Sequence, residues 1–407
     1  SATMASGTAG GNIWFGALGV ATGNDNNTIS NCDIGPSGGN LPSKAICFTG
    51  TPGLSRENSG VIIDNNNIYD FFSSTVASAG IDIATIGTNT VSITNNRFYQ
   101  TGARSLNAAV IHSAIRVANT SLTNAFTISG NTIGYASSTG TGTYTFAGTV
   151  TGAIFNPINL TLGSTATNNV QNNTIAGISH TTSFAGFFGL FNAINVTAGA
   201  VNIGTTTGNR IGLAGAPITF NCTAVGVSSY GGTITAINSA SNLTTVNIQN
   251  NIIEAISYTG LLAAPLNAFN FNGINVIGSS VYSITNNTIG GFAPNSIILG
   301  TLGTSTGFST FSGINSSVTG TPLTIGANGF SNFIQNITFN AAATNSFTGI
   351  STSGTNTTTN ITYNSIRGIR FAAAGAHAST FTGIINSGAV NGPINITNNN
   401  LGIVGTD

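Results

Sequence analysis

One motif recurs along the whole chain and limits its possible folds more than any other feature. It consists of an aliphatic residue, two mostly polar residues, an asparagine, any residue, and then an aliphatic residue or phenylalanine. Clear copies lie at 63–68, 93–98, 128–133 and 284–289. Such recurrence is typical of repeat proteins, in which each unit packs only against its neighbours. The motif therefore predicts one elongated stack of similar units.

Eleven asparagines mark the copies of this motif. Neighbouring markers are 30 to 42 residues apart in the sequence, so the unit is about 37 residues long. The copy at Asn27 lacks the leading aliphatic residue, and the copy at Asn209 has three extra residues after Ile203. The predicted markers are Asn27, Asn66, Asn96, Asn131, Asn173, Asn209, Asn251, Asn287, Asn328, Asn364 and Asn399.

A second element lies between successive markers. It reads as a small residue, Ile or Val, a polar residue and often another aliphatic residue, as at 114–117, 193–196 and 273–276. A phenylalanine often precedes it by two residues, as at Phe271 and Phe311. Both elements alternate apolar and polar residues with a period of two, which indicates half-buried strands. Each unit is predicted to be a strand, a bend at the asparagine, a second strand, a variable loop and a third strand.

Stacking of such units at the interstrand spacing of about 4.8 Å would place the marker asparagines in one column. Their amides can hydrogen-bond from coil to coil, which satisfies a polar side chain at an interior bend. We therefore predict an all-β fold: a right-handed parallel β-helix of about eleven coils with an interior asparagine ladder, residues 1–407 forming a single solenoid domain. A β-propeller repeats at a similar length, but its four strands and hairpin turns per blade are not found.

The composition excludes several classes of function. Only 4% of the residues are charged and the formal net charge is zero, which argues against nucleic-acid binding. No apolar run approaches the roughly 20 residues that span a bilayer, so no membrane insertion is predicted. The cysteines fit no metal spacing, and Cys32 and Cys47 can form a disulfide or remain buried thiols. No cofactor motif is found.

β-Helices include polysaccharide lyases and glycosidases, so the carboxylates of the chain decide whether catalysis is expected. These reactions need facing acids, or acids with Ca²⁺ and a basic residue. The best candidate is Asp64 and Asp82 with Arg97 and Arg116, but Asp82 and Arg116 share one strand position and are predicted to form an exposed, stacked ion pair. His112, His180 and His377 share no repeat position, and they are expected as isolated surface or loop residues. The chain is therefore predicted not to be an enzyme, with a pectate-lyase-like activity as the alternative.

The recurring segments at 93–98 and 273–276 resemble the Asn-rich right-handed β-helix repeats of very large bacterial surface proteins, such as secreted adhesin-like proteins of the Bacteroidetes. The resemblance covers almost the whole chain. It implies an extracellular or cell-surface location and a structural or adhesive stalk, whose variable loops could bind a glycan or another surface ligand. A self-assembling extracellular filament subunit is the further alternative.

The two ends of a β-helix expose unpaired strand edges, which proteins normally cover. At the C-terminal side the apolar segments 394–397 and 401–404 are followed by no capping helix and no Lys or Arg, and at the N-terminal side the segment 13–15 is at best a partial cap. We therefore expect the 407 residues to belong to a longer solenoid, or to stack on further solenoid coils or like subunits at the ends.

Overall fold

The computed structural model describes residues 11–16, 23–36, 38–50, 56–84, 87–121, 125–150, 152–183, 189–223, 232–259, 269–302, 307–342, 344–372, 378–389 and 391–402. Within these ranges the regular elements are all strands, paired in parallel in three sheets. The predicted β-solenoid is confirmed. Across the same ranges, the search for a helix long and apolar enough to span a bilayer found none.

Each coil contributes to all three sheets in turn. Sheet A contains Ile13–Gly16, Lys44–Thr49, Ser78–Ile83, Ile111–Asn119, Ile154–Phe155, Ile158–Leu162, Gly189–Ala198, Gly232–Ser239, Phe269–Gly278, Ser309–Val318, Ser346–Thr352 and Thr380–Asn386. Sheet B contains Thr28–Ser30, Asn58–Asp64, Thr88–Thr94, Phe126–Ser129, Asn168–Gln171, Val201–Ile203, Thr245–Gln249, Val281–Thr285, Pro322–Ile325, Thr358–Thr362 and Ile394–Thr397.

Sheet C follows the bend after sheet B. It contains Asp33–Ile34, Asn67–Tyr69, Arg97–Tyr99, Arg104–Leu106, Thr132–Gly134, Tyr144–Gly148, Thr174–Ala176, Ile178–Thr182, Arg210–Ile211, Ile218–Cys222, Ile252–Ile253, Ile256–Thr259, Thr288–Ile289, Ile297–Leu299, Phe333–Phe339, Ser365–Phe371 and Asn400–Leu401. Sheet B has eleven strands, one from each coil. Nine of these coils, the second to the tenth, are covered by a neighbouring coil on both sides. The solenoid therefore has about nine enclosed turns, slightly fewer than the eleven coils predicted.

Sheet C holds more strands than the repeat predicted. In several coils a second strand, such as Tyr144–Gly148 or Ile178–Thr182, lies in the segment interpreted as a variable loop. Its inward residues, for example Tyr144, Phe146 and Ile178, are fully buried. The alternation of apolar and polar residues in these segments was therefore a strand signal that the marker-based reading missed.

The core is a set of aliphatic and aromatic columns that run along the solenoid. In sheet B, Ile63, Ile93 and Ile128 are direct register partners of one another from coil to coil, and each is fully or almost fully buried. The buried apolar cluster extends in this way from Phe15 to Ile369. Because each coil covers the apolar face of the next, the burial that stabilises one coil depends on its neighbours.

The asparagine ladder lies at the bend between sheets B and C. Asn131 is a representative member: its backbone N–H and its Nδ2 both donate to Oδ1 of Asn173, at 3.0 and 2.9 Å, and its Nδ2 also donates to the carbonyl oxygen of Ile93 at 2.8 Å. The side-chain hydrogen bonds run without a break through Asn66, Asn96, Asn131, Asn173, Asn209, Asn251, Asn287, Asn332, Asn364 and Asn399. Members from Asn66 to Asn364 are at most 1% exposed, so an unpaired amide there would be costly.

Two predicted markers do not belong to this ladder. Asn328 is exposed in a turn closed between Ala327 and Phe330, and the ladder position of its coil is occupied by Asn332. The turn displaces the ladder residue by four positions, so the prediction at Asn328 was wrong. Asn27 is also exposed, and its side chain donates only to the nearby carbonyl oxygen of Asp25.

The ladder position of the first coil belongs to Cys32 instead of Asn27. The backbone N–H of Cys32 donates to Oδ1 of Asn66 at 3.0 Å, as the ladder asparagines do to one another. A cysteine there leaves Asn66 without a side-chain amide below it, so the side-chain ladder begins at Asn66. Cys32, Cys47 and Cys222 are all free thiols, and Cys32 is exposed, against the expectation that it is buried.

The residue before most of the ladder asparagines has a backbone conformation that explains the frequent Asn-Asn pairs of the sequence. Asn65, Asn95 and Asn250 have φ values of 54°, 55° and 60°, and Gly130 has 69°. This left-handed region is accessible to glycine and, among other residues, mostly to asparagine. The first asparagine of the pair therefore makes the bend, and the second forms the ladder.

Candidate functional site

The residues proposed as a catalytic group are not brought together. Asp64 lies on sheet B and accepts hydrogen bonds from Thr94 and Asn95, whereas Asp82 lies on sheet A and is 1% exposed. Arg97 lies on sheet C, and its guanidinium donates to Oδ1 of Asn65 at 3.3 Å. The four side chains therefore point from three different sheets, and no cleft with facing acids results.

Asp82 instead links three coils by ion pairs. Its carboxylate lies 2.7 Å from Nη1 of Arg116, as the predicted register requires, and 2.6 Å from Nζ of Lys44, which the sequence reading missed. The pair was expected to be exposed, but the Asp82 carboxylate is buried. Two cationic partners compensate more of the cost of removing this carboxylate from water than one partner would.

Two other ion pairs are also structural. Asp70 binds Arg104 and accepts hydrogen bonds from the backbone and hydroxyl of Thr101. Glu254 binds Arg210 at 2.7 Å. Each pair joins neighbouring coils, so these charged residues are explained without a substrate.

Two histidines lie in the core, against the expectation of surface positions. His112 is fully buried, and its ring nitrogens are hydrogen-bonded to Oγ of Ser78, at 2.7 Å, and to the hydroxyl of Tyr144. Burial, together with Arg104 nearby, lowers the pKa of His112 to about 3. A serine beside a histidine can act as a nucleophile, but substrate access is absent at this depth. This group is therefore a structural one.

His180 is also buried, and burial lowers its pKa to about 4. Its ring stacks on Phe146 at 5.1 Å and neither nitrogen has a hydrogen-bond partner. The third histidine, His377, lies outside the described residues. In the part of the chain that the structure describes, no group of three or more His, Cys, Asp or Glu residues could hold a metal ion.

A cleft opens on the outer face of sheet C, and we call it the sheet C cleft. It encloses about 520 Å³, within the range of roughly 300–1,000 Å³ that is usual for small-ligand sites. One wall is formed by Tyr99 and by the loop 135–140, and no carboxylate lines it. Its floor is a column of outward side chains from four successive coils: Asn67, Arg97, Thr132 and Thr174.

The wall of the cleft is a compact loop held by its own hydrogen bonds. The backbone N–H groups of Tyr135 and Tyr144, at its two ends, both donate to the carbonyl oxygen of Gly177 in the next coil, at 3.1 and 2.9 Å. Within the loop, Oγ of Ser137 lies 2.7 Å from Oγ1 of Thr141. On its far side a second cleft of about 330 Å³ extends to residues 215–217. The loop therefore stands between two clefts as a fixed wall.

A glycine without a Cβ atom and the rings of three tyrosines set the position of this wall. A Cβ atom at Gly177 would lie 2.7 Å from Cδ1 of Tyr135, so only glycine allows the ring to pack there. Tyr69 and Tyr99 stack at a centroid distance of 5.1 Å with rings 7° from parallel. Burial is the main cause that raises the pKa of Tyr99 and Tyr135, so both hydroxyls remain protonated at neutral pH.

The sequence contained a signal for this site. The spacing of 42 residues between Asn131 and Asn173 is one of the two longest between predicted markers, and the loop 135–143 lies within it. The marker spacing thus indicates that this unit contains an insertion. Which outward side chains the inserted loop covers depends on the register between coils, which the spacing does not give. Comparisons with family models, curated proteins and solved structures found no match for the chain.

Proposed function

We propose that the chain is a rigid, non-enzymatic β-solenoid stalk of an extracellular or cell-surface protein, structural or adhesive in role. The observation that supports this proposal best is the unbroken ladder from Asn66 to Asn399, which fixes every bend to the next along the body. Eleven coils at about 4.8 Å give a length on the order of 50 Å. A rod of this kind suits the separation of a binding surface from an anchoring point.

The use of the charged residues supports a non-enzymatic role. Asp70, Asp82 and Glu254 are buried in ion pairs with Arg or Lys. A general acid or a metal-binding carboxylate must instead face the substrate. The lining of the sheet C cleft has no carboxylate, and its polar side chains around Arg97 carry hydroxyl and amide groups, which suit binding better than proton transfer.

Location is the first test of the proposal. Antibodies against the chain should label intact, unpermeabilised cells of the source organism or bind protein in the culture medium. Protease added to intact cells should remove any cell-bound label. Labelling that requires permeabilisation would contradict an extracellular stalk. Turnover of pectin, alginate or another polysaccharide that is lost in Asp64→Ala or Asp82→Ala would contradict the absence of catalysis.

A further inference from the structure

We propose that the sheet C cleft binds an acidic oligosaccharide, with a sugar carboxylate on Arg97 and sugar hydroxyls on the threonine and loop side chains. This inference deepens the proposed function and rests on it, because an adhesive stalk needs a ligand and the cleft supplies a site.

The charge of the cleft is the first argument. Lys44, Arg104, Arg116 and Arg210 each have a carboxylate within 4.0 Å, whereas no ion pair within the described ranges includes Arg97. Its guanidinium donates a hydrogen bond to the neutral amide of Asn65, at 3.3 Å, and its side chain is exposed. A guanidinium in a cleft without carboxylates can bind an anion through two parallel hydrogen bonds.

The neighbouring acids do not neutralise this arginine. Asp33 lies two coils away in the same column, and its carboxylate accepts a hydrogen bond from Nδ2 of Asn67 at 2.6 Å. Asp64 lies around the bend and is occupied by Thr94 and Asn95. Asp33 and Asp64 therefore accept hydrogen bonds from neutral groups and form no ion pair with Arg97. Arg97 remains the group in the cleft that attracts an anion.

Hydroxyl groups form most of the remaining polar lining. Thr132 and Thr174 lie on the floor, and Ser137, Ser138 and Thr139 lie in the wall. Hydroxyls donate and accept equally well, which matches a ligand that carries many hydroxyls of its own. The cleft has a single cation, which matches a ligand that places one carboxylate in the site. A phosphate-rich polymer would need several cations for binding.

The periodicity of the floor is the third argument. Asn67, Arg97, Thr132 and Thr174 come from four successive coils, which stack at about 4.8 Å. An extended pyranose chain advances by a similar distance per sugar. A saccharide lying along the solenoid axis can therefore place one sugar over each coil, with its carboxylate over the coil of Arg97.

Calorimetry on the full chain tests this proposal with three probes: trigalacturonic acid, trimannuronic acid and fully methyl-esterified trigalacturonate. We expect at least one acid to bind, and the ester, which has no charge, to bind at least about tenfold more weakly than the acid that binds. Arg97→Gln should reduce the affinity for the acid about tenfold or more. Thr132→Val keeps the shape but removes a hydroxyl, and it should cause a smaller loss.

Arg370→Gln is the matched control, because Arg370 is also exposed on sheet C but lies seven coils away. It should bind the acid as the unmodified chain does. Circular dichroism should show that both arginine variants keep the fold. Failure of both acids to bind, equal binding of acid and ester, or an unchanged affinity in Arg97→Gln would each overturn the proposal. Antibody labelling of intact cells is independent of these outcomes, so the stalk proposal can stand or fail separately.

Discussion

Two parts of the solenoid share the ladder but differ in almost everything else. We call residues 11–183 the charged half and residues 232–402 the neutral half. Eleven of the sixteen charged residues lie between Asp25 and Arg116 in the charged half, whereas the neutral half has only Glu254, Arg367 and Arg370. The ladder continues through both. The ladder asparagine and the aliphatic columns beside it are thus common to both halves, whereas the charged residues are concentrated in one.

The aromatic cores of the two halves also differ, because one is regular and the other is mixed. In the neutral half Phe271, Phe311, Phe347 and Phe381 form one regular stack with ring centroids 5.1–5.4 Å apart and rings within 9° of parallel. In the charged half the aromatic core is mixed, with histidines and tyrosines among the phenylalanines at varied angles. The neutral half repeats one arrangement of core rings from coil to coil, whereas the arrangement in the charged half changes between coils.

Truncation of a buried phenylalanine should have the largest effect on the free energy of unfolding. The effect should be found mainly in the half that contains the residue. Phe311→Ala removes a ring that is 1% exposed, and we expect a loss of about 3–5 kcal/mol in unfolding free energy because a cavity remains. Hydrogen exchange should accelerate mainly in the neutral half, since each coil contacts only its neighbours. Phe381→Ala, at a ring that is 51% exposed, is the control and should cost much less. Equal acceleration throughout the chain would contradict the independence of the two halves.

The ladder should show the opposite behaviour, an equal cost in both halves. Asn332→Leu leaves the backbone N–H of Asn287 without its acceptor, removes one of the acceptors of the Asn287 amide, and removes one donor to the carbonyl oxygen of Ile284. We expect a loss on the order of 3 kcal/mol, and a similar loss for Asn131→Leu in the charged half. Urea unfolding measures both.

Asn328→Leu provides the control for the ladder. It is four residues from Asn332 but exposed in the turn, so its cost should be within about 0.5 kcal/mol of zero. If Asn328→Leu destabilised the chain as much as Asn332→Leu, the assignment of the ladder would be wrong.

The repeat predicted the fold well because its signal is local. The ladder asparagine and the aliphatic residues on either side of it lie within six residues of one another. Their positions therefore define the two strands that flank the bend and the asparagine column between them. The prediction at Asn328 was wrong for the same reason. A four-residue turn kept a plausible local pattern, and only the stacking on Asn287 and Asn364 distinguishes Asn332 as the ladder residue.

The cleft and the buried polar groups could not be predicted in this way. The cleft requires Asn67 and Thr174, which are 107 positions apart, to share one column. His112 and His180 share no marker position, and their burial depends on unpredicted strands of sheet C that bring Tyr144 and Phe146 beside them. Insertions change the register by different amounts in each coil, so sequence spacing does not reveal which side chains meet.

Acid should destabilise the charged half more than the neutral half. Burial lowers the pKa of His112 to about 3 and that of His180 to about 4, against 6.5 for an exposed histidine. Between pH 6.5 and these values the unfolded chain binds protons that the folded chain does not. The stability that the neutral rings contribute is therefore complete above pH 6.5 and is lost as pH falls towards 3, by up to about 1.4 kcal/mol per pH unit for each ring.

Unfolding in urea at several pH values, with hydrogen exchange to assign the region, measures this effect. His180→Phe is the informative variant, because the ring nitrogens of His180 have no hydrogen-bond partner and a phenyl ring suits the stack on Phe146. The variant should keep its stability at pH 7.5 and lose about half of the acid sensitivity. An unchanged dependence on pH in this variant would show that the buried rings are not its source.

The ion pairs should give the smallest effect, and a pair within the charged half should differ from the Arg210–Glu254 pair that leads into the neutral half. Asp82→Asn removes a carboxylate that is 1% exposed and leaves Lys44 and Arg116 facing each other. Both cations keep partial contact with water, so we expect a loss of about 1–2 kcal/mol. Glu254→Gln removes the partner of an arginine that is 41% exposed, and water can replace much of that contact, so the loss should be below about 1 kcal/mol. Salt should weaken the Glu254 pair more than the Asp82 pair, because screening acts chiefly on exposed charges. Urea midpoints at low and high NaCl concentration measure both differences. If Glu254→Gln cost as much as Asp82→Asn at both salt concentrations, burial would not be what separates these two ion pairs.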